Sequence, residues 1–220
     1  MEIKENKEDL GIDKKIIYFF KKPSVIFNEF IEKPRYLWTM CIITAINVIY
    51  AIMQTALSID IVKRSITGNL PDASKTLVEK FMKYTTSIPV QTVITIVTTV
   101  ISIYVAALIY KILSRIFGSR IKYKQVVSVY CLSMMPIAIG EVLKWLYMAV
   151  TGKPVGVSYL VKPTLLNGVL DKFDIFNIWQ IILLTIGISI VGKVSKKKSF
   201  AIVAILFALN VFITLHSYIK

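Results

Sequence analysis

The chain has 220 residues, 55% of them hydrophobic and 18% charged, with 27 Lys and Arg against 13 Asp and Glu. This balance excludes a disordered chain and a disulfide-knit scaffold. It also argues against a soluble nucleic-acid binder, because the basic excess accompanies more apolar side chains than one core of this size can hide.

Residues 1–36 read as an amphipathic amino-terminal segment on the cytoplasmic side. The first fifteen mix Lys4, Lys7, Lys14 and Lys15 with Glu2, Glu5, Glu8, Asp9 and Asp13, and no apolar h-region follows, so no signal peptide is expected. Leu10 to Phe20 carries Ile12, Ile16, Ile17, Phe19 and Phe20 among basic residues. After Pro23, the stretch Ser24 to Glu32 places Ile26, Phe27, Phe30 and Ile31 on one helical face. Pro34 separates it from the apolar run that follows. Both stretches are expected to lie on the membrane as interfacial helices; the alternative is that their apolar faces pack on the rest of the protein.

Residues 37–220 read as a five-span unit. Runs 37–59 and 88–110 are uncharged, 126–150 contains only Glu141 and Lys144, 175–192 is uncharged, and 199–218 has His216 near its end. A bilayer core about 30 Å thick needs roughly 20 residues of helix. Backbone polar groups in lipid must be paired within the segment, so helices are the expected form. Between the first two spans Asp72 is placed to cap a helix whose Leu77, Val78, Phe81 and Met82 form another apolar stripe. The expected fold is therefore all-α: a polytopic membrane bundle of five transmembrane helices plus interfacial amphipathic helices.

In the second span, Thr92, Thr95, Thr99 and Ser102 recur at helical spacing, which lets another helix approach and exchange hydrogen bonds; Asn47, Gln54 and Asn210 are candidate partners. In the third, Pro136 should kink the helix, with Gly140 leaving room for a neighbour. Glu141 and Lys144 stand three apart on one face, close enough to pair. Ionisable residues at membrane depth are costly, so two readings stand. The pair is a structural clip, or it lines a cation or proton path with Asp171 and Asp174, which open the fourth span on the same side.

Loop charge orients the bundle. Five spans place 17 Lys and Arg on the side of the amino terminus and 9 on the other. The positive-inside rule then puts the amino terminus in the cytoplasm and the carboxyl terminus outside, in a multi-pass cell-membrane protein. Arg115, Arg120, Lys122, Lys124, Lys196, Lys197 and Lys198 make one basic cytoplasmic face, a candidate surface for anionic lipid headgroups or a partner. Trp38 at the inner end, and Trp145, Trp179 and Tyr218 toward the outer end, suit an interfacial aromatic belt.

Catalytic signatures fail. Cys41 and Cys131 both fall in spans, and with one His they make no ordinary metal site. Gly187 to Lys193 spells G-x-x-x-x-G-K, but Val194 stands where Ser or Thr is needed, and the run lies in an apolar span. No cofactor, no nucleic acid and no enzymatic activity is expected. The partners expected are membrane lipids, with a protein partner or a second copy of the chain as further candidates.

Several segments together resemble the Ypt-interacting protein (Yip) family, and its prokaryotic members above all. They are Phe20-Lys21-Lys22-Pro23-Ser24, Glu32-Lys33-Pro34-Arg35, Gly118-Ser119, Lys124-Gln125, Pro136, Leu170-Asp171-Lys172-Phe173, Ile175-Phe176-Asn177-Ile178-Trp179 and Ser195-Lys196-Lys197-Lys198-Ser199. The resemblance runs from about Phe20 to the end and implies a five-span fold in a membrane. Eukaryotic relatives are associated with Rab-type GTPases and vesicle traffic. Their acidic Asp-Leu-Tyr-Gly-Pro-type segment before the first span has no counterpart here, so the resemblance implies a fold and a location more firmly than GTPase binding. The expected role is a non-enzymatic membrane-organising or partner- and lipid-binding protein, the alternative a small transporter or channel using Glu141 and Lys144 with Asp171 and Asp174.

Overall fold

The computed structural model describes residues 11–68, 71–155 and 173–219, and every regular element among them is helical. Two ten-residue helices open the described chain, α1 (Ile12–Lys21) and α2 (Pro23–Glu32). Pro23 stands in the first turn of α2, where its missing N–H removes no hydrogen bond. There follow α3 (Leu37–Thr67), α4 (Asp72–Thr85), α5 (Ile88–Ile116), α6 (Tyr123–Ser133), α7 (Met135–Thr151), α8 (Ile175–Val191) and α9 (Lys196–Ile219).

Among the described residues, three stretches are long and apolar enough to cross a bilayer: Leu37–Arg64, Ile88–Ile116 and Tyr123–Thr151. The third consists of α6 and α7 together. α8 is apolar but has only 17 residues, and α9 has 24. Isoleucines and valines such as Val93, Val97, Ile101, Val105 and Ile112 stand exposed along α5. In water such a surface would be a severe liability, whereas lipid is its natural solvent.

The third span is more than kinked. Pro136 has no N–H to donate to the Leu132 carbonyl, so the helix ends and restarts around Met134. The Met134 N–H instead donates to the carbonyls of Tyr130 (3.0 Å) and Cys131 (3.1 Å), tightening the last turn of α6. α6 is the centre of the molecule. Residues Gln125 to Val129, Cys131 and Ser133 are buried, and α2, α3, α5, α7 and α8 pack around them.

α3 and α5 run antiparallel, held by polar groups. Asn47 meets Thr99 at 3.2 Å, and Gln91 Nε2 donates to the Ala51 carbonyl and Thr55 Oγ1. Of the expected small-residue stripe only Thr99 is buried; Ser102 is exposed, and Gln91 supplies the remaining contacts. Gln54 turns elsewhere, donating to the Val155 carbonyl at 3.1 Å, and Asn210 is exposed.

The amphipathic helices divide into two kinds. α4 keeps Leu77, Phe81 and Tyr84 exposed, as an interfacial helix would. α2 instead buries Ile26, Phe27 and Phe30 against α6 and α8, so its apolar face packs on the protein itself. Trp179, expected in an interfacial belt, is half-buried beneath Phe19 and Phe20 of α1, with ring centroids 5.5 and 5.2 Å away.

Candidate functional site

Two places gather the charged residues singled out from sequence. The first lies inside the apolar bundle, where α7 restarts at Met135 and carries Glu141 and Lys144 one turn apart. Gly140 decides what approaches them. A Cβ there would stand 2.6 Å from the Phe176 ring, so only glycine lets the start of α8 seat against α7. Asp174 caps α8 by accepting from the Asn177 N–H at 2.8 Å, which uses one of the helix's unpaired amino-terminal donors. Its other oxygen, Oδ2, lies 3.8 Å from Lys144 Nζ.

Lys144 therefore pairs across helices with Asp174. Three residues of helix turn side chains about 60° apart, so each is free to face a different neighbour. Glu141 faces α3. With the Asn47 amide turned so that both its atoms find complementary partners, its nitrogen donates to Glu141 Oε2 at 2.6 Å and to the Ile43 carbonyl at 3.1 Å. Its oxygen then accepts from Thr99 Oγ1 at 3.2 Å. Besides standing one turn apart, Glu141 and Lys144 thus make two interhelical links, α7 to α3 and α7 to α8. Asp171, the fourth residue expected here, lies outside the described residues.

A carboxylate held by one amide and backed by a hydroxyl is suited to hold a proton or a small cation, or to fasten three helices. Tyr50 and Gln54 continue the polar line along α3; both donate to the Val155 carbonyl, at 3.4 and 3.1 Å. Among the described residues no group of three His, Cys, Asp or Glu side chains could hold a metal ion. Tyr50, and Gln54's link to Val155, were missed from sequence. Polar residues at helical spacing from Asn47 were the available signal.

The second place is basic. Arg115, Arg120, Lys122, Lys124, Lys196, Lys197 and Lys198 are all exposed. Two loops carry them, and the structure joins the loops. Ser119 Oγ donates to the Gly192 carbonyl at 2.8 Å and accepts from the Ile121 N–H at 3.2 Å. Gly118 makes this turn possible with φ of +87°, a conformation that strains any residue with a Cβ. Lys198 Nζ donates to the Phe117 carbonyl at 3.4 Å, so the lysines opening α9 stand beside the end of α5. Ser199 Oγ anchors that same turn by donating to the Thr185 carbonyl at 2.6 Å. Residues 72 or more apart in sequence thereby form one continuous positive surface.

Comparison with known proteins extends over nearly the whole chain. It is 26% identical over 208 residues to membrane protein YknW of Bacillus subtilis (strain 168), which covers 89% of this chain and 86% of that protein. No solved structure matches. The model of the Yip1 domain matches residues 17–217, from the middle of α1 almost to the end of α9, and with these helices and motifs in that order the chain belongs to the Yip1 domain family.

Proposed function

We propose that the protein is a non-enzymatic organiser of the membrane, which binds anionic lipid headgroups or a protein partner through one basic face. The observation that carries this reading is the Ser119–Gly192 link, which merges two lysine- and arginine-bearing loops into a single exposed surface. Clustered Lys and Arg beside a bilayer attract anionic lipid by about 1 kcal/mol each, so seven acting together outweigh an isolated surface ion pair. In this reading α3, α5, α6 with α7, α8 and α9 are five spans, the amino terminus and the basic face are cytoplasmic, and the carboxyl terminus is outside. Reconstitution of the full chain in nanodiscs of mixed anionic and zwitterionic lipid, followed by native mass spectrometry, is the test. Retained lipid enriched in the anionic species is the expected result; retained lipid that mirrors the bulk mixture would sink the proposal.

A second reading, a small transporter or channel, draws on one observation. Glu141 at membrane depth makes its link to Asn47, while Lys144 forms its ion pair with Asp174, so one cation serves two carboxylates. Under this reading, Glu141→Gln abolishes cation or proton flux in proteoliposomes while the chain still folds. Flux that survives the substitution removes Glu141 from any transport path. Glutamine keeps the hydrogen-bonding shape, so packing alone would be little disturbed.

A further inference from the structure

The two amino-terminal helices meet the bundle at three heights. Near the start of α6, Gln125 Nε2 donates to the Ile31 carbonyl at 2.8 Å. Further along, the Phe27 ring fills the notch at Gly187, where a Cβ would stand 2.8 Å from Phe27 Cε1. Beyond that, Phe19 and Phe20 stack on Trp179. Gly187 to Trp179 is eight residues, about 12 Å of helix, and the chain bridges that interval from Phe27 on α2, across the break at Lys22, to Phe19 and Phe20 at the end of α1. α2 thus runs alongside α8 and carries the Lys21-Lys22-Pro23 turn up to the level of Trp179. Lys15 Nζ, 3.2 Å from Glu29 Oε2, ties α1 back against α2.

Trp179 stands thirteen residues before Gly192, about 20 Å along α8, whereas a bilayer core is about 30 Å thick. Helices lying flat on the headgroups at the Gly192 end could not reach it. We infer that α1 and α2 form a re-entrant helical hairpin, embedded in the leaflet at the Gly192 end of α8 and reaching past mid-depth. Its free face is Ile16, Ile17 and Phe20, which are 57%, 51% and 58% exposed. The occupant of that face is acyl chain. The face is continuous with lipid-type surface on the neighbouring helix, where Ile178 and Ile182 are 45% and 51% exposed beside Trp179.

Lys21 and Lys22 are exposed at the turn. Ammonium groups at that depth are tolerated when long stems snorkel and headgroups and water are drawn toward them. The hairpin therefore displaces lipid on one side and thins the bilayer around its tip, a physical means for the chain to shape its surroundings. The inference does not depend on the basic face binding anything.

The test uses the full chain in liposomes with Cys41→Ala and Cys131→Ala, and a nitroxide attached at Ile17→Cys. Collisions with oxygen and with a water-soluble nickel chelate report depth. An embedded hairpin gives an oxygen-to-nickel ratio close to that of a label at Ile101→Cys on the lipid face of α5, and severalfold above one at Lys153→Cys. A ratio matching Lys153→Cys, or shielding from both reagents as under a protein partner, would overturn the inference. If Ile17→Cys fails to fold, Ile16→Cys on the same face carries the measurement.

Discussion

Phe27→Ala is expected to destabilise the protein by about 3–5 kcal/mol, the usual range for removing a fully buried phenylalanine. Phe27 is 0% exposed and sits where α2, α6 and α8 converge, its ring near Gly187 and 6.1 Å from that of Phe30. α2 has only ten residues and little helical stability of its own, so its docking depends on this anchor. A thermal melt of the purified protein should show a midpoint lowered by about 6–20 °C. A shift of a degree or less would mean that α2 is not docked as described.

Gly187→Leu should be as damaging, from the opposite direction. The first atom of any side chain at Gly187 would stand 2.5 Å from Val129 Cγ1 and 2.8 Å from Phe27 Cε1, well inside contact distance. Even Gly187→Ala must push α6 or α2 aside, and overpacking of this kind costs about 1–3 kcal/mol, more for leucine. The two sites share a contact, so their effects should not add. Combining Gly187→Ala with Phe27→Ala removes one of the two clashes, and the double variant should melt above the temperature that additive losses predict. Strict additivity, measured by the same melts, would show that the notch and the ring do not meet.

How much of this was readable in the residues differs from element to element. Long uncharged runs gave the apolar helices, since no water-facing element has that pattern. Pro136 marked the break in the third span, but the chain could not say that α6 and α7 would separate around Met134, which depends on how neighbours support the freed backbone. Asn47 was correctly named as a partner for the second span. Glu141 and Lys144 were paired with each other because spacing along one helix is all a sequence displays. Asn47 and Asp174 come from other helices, and of these α8, which carries Asp174, is let close by the absent side chain of Gly140. The stripe on α2 looked interfacial because amphipathicity records that a face is apolar and not what covers it. The basic residues were legible one by one. Their merging into one surface rests on Ser119 reaching Gly192 across 73 positions.

Under the proposed function this merged surface, and not the positive charge of the chain in general, holds anionic lipid. Replacing Lys196, Lys197 and Lys198 together with glutamine leaves the buried Ser199 anchor in place and removes three of the seven charges. Native mass spectrometry of this variant from mixed-lipid nanodiscs should find the anionic enrichment largely lost, while Lys75, Lys80 and Lys83 on α4 replaced in the same way should leave it intact. Equal retention of anionic lipid by both variants would contradict the proposal.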